Sequence, residues 1–270
     1  MFFMPLLPIY LVYWKLRKIT FHFRCKRCGS PWLFLDLRYM RDGNCEKCTY
    51  ALSQQSSFKE AGLPTVKPEF DWLFERMAKK VRDGKALDIG CQSAYMFTKF
   101  HSPRESLYGI DVTPGPLKLA AQNLKGANFC RADATKIPYR DSSFDYLFCT
   151  EVLEHIPNSE AVLQDCFRVL KPGGSAFFTC PNGKGVAGKY MCAHIRFFSY
   201  KEFINVIEEA GFEIVTGNKY GLYIPFVSSF SVMFSYILGR RLPLDSLLWK
   251  LRMPEFLSVT FYIECRKPVD

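Results

Sequence analysis

Between Ala86 and Glu154 the chain carries four short runs whose residue types could hold a nucleoside: Ala86-Leu-Asp88-Ile-Gly90-Cys91, Gly109-Ile-Asp111, Arg131-Ala-Asp133-Ala134 and Phe144-Asp145-Tyr-Leu-Phe-Cys149-Thr150-Glu151. Two are apolar runs that end in an acidic residue, the first followed by a glycine, and about twenty residues separate them. That pattern describes successive strand tips, and in open α/β sheets ligands lie outside the carboxyl ends of the strands. Gly90 would let backbone approach a ligand closely. Asp111, at the second tip, suits the hydroxyls of a ribose, and Asp133 suits an adenine amino group. The loop Gly90-Cys91-Gln92-Ser93-Ala94-Tyr95 lacks the later glycines of a dinucleotide fingerprint, which argues against a nicotinamide cofactor.

A second constellation lies upstream. Cys25-Lys-Arg-Cys28 and Cys45-Glu-Lys-Cys48 are two Cys-x2-Cys pairs separated by sixteen residues. Such pairs can present four thiolates to one ion, so the spacing predicts a structural Zn2+ ribbon that folds an appendage and performs no chemistry. A redox pair is the alternative reading. The remaining cysteines, among them Cys130, Cys149, Cys166, Cys180 and Cys192, read as small core residues of a reducing compartment.

Taken together, the strand-tip runs, the sequence Glu151-Val152-Leu153-Glu154-His155 and the later Leu170-Lys171-Pro172-Gly173-Gly174 resemble the class I S-adenosylmethionine-dependent methyltransferases, over about Phe70 to Gly221. The resemblance implies S-adenosylmethionine as cofactor, with contacts from Asp88, Gly90, Cys91, Asp111, Val112, Asp133, Ala134, Thr150 and Glu151. Methyl transfer from a sulfonium needs alignment more than acid-base help. Where the acceptor must lose a proton, His194 and His155 are the candidate bases, with His155 also suited to a packing role. The chain departs from the family pattern at Gln92 and Ala94, which stand where glycines are expected. A side chain at 92 crowds the methionine end of the cofactor and strains a backbone position that prefers positive φ.

The elements that must position these groups alternate. A helix is expected over 69–82 and another over 93–100. Strands are expected near 85–89, 106–111, 127–131, 143–149 and 174–180, then a helix at 200–210 and strands near 212–220 and 257–266. Alternating β and α predicts a doubly wound, mostly parallel α/β sheet of seven strands, preceded by the small zinc ribbon. From the resemblance, the last two strands form an antiparallel edge. The expected organisation is an apolar and basic segment over 1–20, the zinc module over 21–55 and the methyltransferase domain over 66–270.

Length and composition fit this plan. The 270 residues suffice for one medium domain and an appendage, and 49% hydrophobic content suits a globular protein rather than a disordered one. Charge is uneven: residues 1–60 hold ten Lys and Arg against four Asp and Glu, a net +6 of the chain's +10. Lys26, Arg27, Arg38, Arg41 and Lys47 could contact phosphates of RNA or anionic lipid, or form a solvated face. Met1–Trp14 is apolar but too short to span a bilayer, and Leu222–Gly239 is uncharged but diluted by serines and Pro225. The second stretch reads as part of an insertion, 222–256, that caps the acceptor pocket or rests on a membrane. The expected acceptor is therefore hydrophobic, lipid-linked or glycan-type, with a cytoplasmic location and contact at the inner membrane surface. An RNA methyltransferase using the basic ribbon and a noncatalytic scaffold are the competing readings.

Overall fold

The structure, a computed structural model, describes residues 70–185, 194–222 and 250–269, together with the strand residues 23–24 and 31–32. The chain divides into two compact units, Met1–Leu52 and Ser53–Asp270. In the first, β1 (Phe23–Arg24) pairs antiparallel with β2 (Pro31–Trp32), Phe23 opposite Trp32. Cys25, Cys28, Cys45, Cys48 and Cys192, the basic residues around the cysteine pairs, segment 1–20 and residues 223–249 of the expected insertion lie outside the described residues. Among the described residues, no helix is long and apolar enough to cross a membrane.

The second unit is a seven-stranded sheet in the order β5-β4-β3-β6-β7-β9-β8. Its strands are β3 (Ala86–Ile89), β4 (Leu107–Asp111), β5 (Asn128–Arg131), β6 (Phe144–Thr150), β7 (Leu170–Pro181), β8 (Glu213–Leu222) and β9 (Ser258–Arg266). The first five pair in parallel, whereas β9 lies antiparallel between β7 and β8. The expected antiparallel edge is thus made by inserting the last strand one place inside the border.

Both faces of the sheet are covered, so its strands read as near-continuous apolar runs. Leu87, Ile89, Leu147, Cys149 and Phe178 pack on one face with Val162, Cys166, Phe203 and Ile207. Ala86, Phe148 and Phe177 pack on the other with Leu73, Met77 and Ala120. The helices supply these partners at helical spacing. In α1 (Asp71–Ala78) Leu73 and Met77 are buried four residues apart, and in α2 (Pro114–Asn123) Leu117 and Ala120 three apart. In α3 (Ser159–Val169) the buried stripe is Val162, Leu163, Cys166 and Val169, and Asn158 caps the helix by accepting the Ala161 N–H at 3.2 Å. Helix α4 (Tyr200–Glu209) starts on a capping box in which Ser199 and Glu202 satisfy each other's backbone N–H groups.

Two expectations are corrected. The helix expected at 93–100 is a single 3₁₀ segment, Tyr95–Lys99, because Ala94 takes a left-handed conformation before it and Phe100 is already extended. The strand expected near 174–180 begins at Leu170, so Pro172–Gly174 lie within β7, where the pairing with β6 shifts register between Phe144 and Tyr146. Beyond β8 the described chain resumes at residue 250 and runs back along it: Gly221 N–H donates to Leu251 O at 3.1 Å and Met253 N–H to Lys219 O at 2.9 Å.

Candidate active site

Because β5, β4, β3 and β6 are adjacent and parallel, their carboxyl ends bring Asp133, Asp111, Asp88 with Gly90, and Thr150 with Glu151 into one row. Strand spacing makes that row about 14 Å wide. The turn after β3 clings to β4, with the N–H groups of Gly90 and Cys91 both donating to Ile110 O, at 2.8 and 2.9 Å. Gly90 sits at φ +70°, and a Cβ there would lie 2.6 Å from Val152. Gly109 has the complementary reason: a Cβ would lie 2.7 Å from the Cys91 sulfur. Cys91 therefore fills the space that Gly109 leaves. Burial, then the nearby Asp88 and Asp111, push its thiol up, so it is no nucleophile at neutral pH.

Asp111, 8% exposed, accepts the Thr113 N–H on Oδ1 at 2.7 Å and the Gln92 N–H on Oδ2 at 3.0 Å. It stitches the loop after β3 to the start of α2, a task its expected role at a ribose did not include. Each oxygen keeps a further lone pair for a ligand hydroxyl. Asp88 is 3% exposed, and its Oδ1 has no hydrogen-bond partner among the described residues. Burial, then the Asp111 charge, raise its carboxyl well above the usual range. Asp133 is exposed and holds its own turn by accepting from Thr135 N and Oγ1, both at 2.8 Å, beside the buried Ala134. Val112, between Asp111 and α2, is exposed.

At the tip of β6, Glu151 is held at φ +56°, uncommon for a residue with a side chain. Its carboxylate accepts from Thr179 Oγ1 at 3.3 Å and Thr260 Oγ1 at 3.1 Å. Those two threonines, on β7 and β9, were not visible as site residues in the sequence, since they lie 28 and 109 positions away. Gln92 and Ala94 occupy φ +47° and +55°, as the missing glycines imply.

The two histidines named independently from the sequence come together. The His155 and His194 rings are 5.0 Å apart, edge to face, and His155 Nε2 lies 3.5 Å from Glu154 Oε1. The neighbours of His194 fix it there: Ile195 N–H and Arg196 N–H donate to Glu154 O at 2.8 and 3.0 Å. Arg196 in turn pairs with Glu160 at 2.6 Å. Glu154 itself is 1% exposed, and the sequence did not single it out.

The residues along the row fit an adenosyl sulfonium cofactor. A buried acid with one unsatisfied oxygen, a glycine turn no side chain could enter and a carboxylate with spare lone pairs line one edge. When bound, the cofactor supplies an electrophilic methyl group. The chain's residues would then hold and orient the reactants, with His155 and His194 beside the β6 tip.

The fold is the Rossmann-like α/β fold shared by solved methyltransferase structures. A structure from Thermotoga maritima, described as a possible histamine N-methyltransferase, aligns with a TM-score of 0.53 at 20% identity, covering 73% of this chain and 89% of that one. The cyclase SpnF aligns with a TM-score of 0.55 at 20% identity, covering 78% and 86%. At such identities the likeness is one of fold, and SpnF illustrates that fold and chemistry are separate matters.

In sequence, residues 87–178 match the family described as Methyltransferase domain. Ubiquinone biosynthesis O-methyltransferases of Pseudomonas fluorescens are similar: that of strain Pf0-1 is 32% identical over 138 residues, 48% of this chain and 56% of the relative. The corresponding protein of strain SBW25 is 31% identical over the same length. The match to a methyltransferase domain thus covers about a third of the chain, and the chain spans a little over half the length of the curated relatives it matches.

Proposed function

We propose that this protein transfers the methyl group of S-adenosylmethionine to an oxygen of a hydrophobic, membrane-associated acceptor. The observation that carries the transfer is the row of Asp133, Asp111, Asp88 with Gly90, and Glu151 at four adjacent strand ends, with His155 and His194 beside it. Oxygen as the acceptor atom is supported by the relatives named O-methyltransferases. Apolar character is supported by Ile195 and Phe197, 56% and 43% exposed on the segment that carries His194, and by the uncharged sequence 222–239. A cytoplasmic location with contact at the inner membrane surface follows as part of the same reading.

A structural Zn2+ at Cys25, Cys28, Cys45 and Cys48 belongs to this proposal. It is supported by the spacing of the two Cys-x2-Cys pairs.

Calorimetric titration of the full chain with S-adenosylmethionine tests the core of the proposal. Binding in the micromolar range, about 8 kcal/mol, that Asp111→Ala abolishes is the expected result. No binding by the folded wild type would overturn it and favour the noncatalytic scaffold. Flotation with anionic vesicles tests the membrane part: co-flotation is expected, and salt-dependent RNA binding lost on Lys26 and Arg27 substitution would move the acceptor to RNA.

A further inference from the structure

We infer that Glu154, His155 and His194 form a binding site for a divalent transition-metal ion, with two imidazole nitrogens and one carboxylate oxygen as ligands. One donor atom from each residue lies within 4.8 Å of the other two. Ligand atoms around a tetrahedral ion bound at 2.0–2.1 Å stand about 3.3 Å apart, so side-chain rotations of about 1 Å close the set. Surface acids meet by chance, but this carboxylate is buried and faces imidazoles, which are ligands when neutral.

The backbone supports the same reading. His194 is 39 positions from His155, and the two N–H groups that follow it both end on the carbonyl of Glu154, the residue that supplies the carboxylate. Arg196, anchored on Glu160 and on Ser159 Oγ at 2.6 Å, fixes the far side of this clamp to the start of α3. The third ligand is therefore held on a pinned segment, which lowers the cost of organising the site.

Imidazole selects ions such as zinc, iron, cobalt and nickel, whereas calcium and magnesium prefer all-oxygen sets. Three protein ligands leave a coordination position open. The role of that position rests on the methyl-transfer proposal. An ion held there would polarise an acceptor hydroxyl, whose proton leaves to solvent. The oxygen pair forms the new C–O bond, and the pair of the broken C–S bond stays on sulfur. The two histidines then serve as ligands and not as bases.

The test is a Co2+ titration of the metal-stripped full chain, followed by visible absorption and by bound-metal analysis. His194→Ala and Glu154→Gln are each expected to lose one equivalent that lacks thiolate-to-cobalt charge transfer. Cys25→Ser/Cys28→Ser is expected to keep that equivalent. Equal uptake by wild type and by both site variants, each shown folded by its melting transition, would overturn the site. Titration with S-adenosylmethionine on the same samples separates the two proposals. Cofactor binding without the cobalt difference removes the metal site alone. The cobalt difference without cofactor binding keeps the site and removes its role in methyl transfer.

Discussion

Gln92 and Ala94 hold left-handed conformations that cost a residue with a side chain about 1–2 kcal/mol each. Ala94 is fully buried, so removing its methyl would leave a void, whereas Gln92 is exposed. Gln92→Gly is therefore expected to stabilise the protein by about 0.5–1 kcal/mol, the relief of strain less the entropy glycine loses on folding. It should also tighten S-adenosylmethionine binding by uncrowding the methionine end, while the Gln92 N–H bond to Asp111 persists. Denaturant melts and calorimetry of the one variant check both. Asp88 gives a pH signature. Its carboxyl is raised by burial above its ordinary value of 3.8, so below that value both folded and unfolded chains carry the proton and the group contributes nothing. As pH rises past it, the unfolded chain ionises while the folded one keeps its proton, and stability falls until the folded group titrates. Asp88→Asn removes this loss. Its melting temperature should exceed that of the wild type at pH 7, with the gain shrinking toward pH 4, and a pH-independent difference would contradict the assignment.

At the scale of elements, Asn182 closes the site end of β7. It is fully buried, donates from Nδ2 to Ser258 O and Ser258 Oγ at 3.1 and 3.0 Å and to Glu255 O, and accepts Gly185 N–H on Oδ1 at 2.8 Å. One side chain thus ties the end of β7 to the start of β9. Asn182→Ala leaves several buried backbone groups unpaired and should cost about 2–4 kcal/mol in a denaturant melt. This knot was not legible in the sequence, because its partners lie 73 and 76 residues away and nothing local marks them. The strand tips were legible for the opposite reason: each acidic residue stands at or near the end of its own apolar run, so Asp88, Asp111 and Glu151 announce themselves locally. His155 and His194 were legible as residue types but not as a pair. The bonds from Ile195 and Arg196 to Glu154 help bring them together, and those are backbone contacts without a sequence signal. The 3₁₀ segment at Tyr95–Lys99 was missed because apolar spacing cannot reveal that Ala94 has left the helical region.

At the scale of the whole molecule, the division into Met1–Leu52 and Ser53–Asp270 puts the proposed ribbon metal and the proposed cofactor row in different parts of the chain. The second unit has a core on both faces of its sheet, built from residues 70 onward, and needs no metal to bury it. The first has about fifty residues and four paired cysteines, and domains of that size commonly rely on a metal for stability. Chelation should therefore unfold the first unit and leave the fold of the second intact. Limited proteolysis after removal of Zn2+ is expected to cut within residues 1–52 while the remainder persists as a resistant fragment. Calorimetry of the chelated full chain should still register S-adenosylmethionine binding. Cys25→Ser/Cys28→Ser should reproduce the chelated pattern without chelator, which separates loss of the ribbon ion from loss of one at His155 and His194. Equal protease resistance of residues 1–52 with and without Zn2+ would mean that the cysteine pairs hold no structural metal.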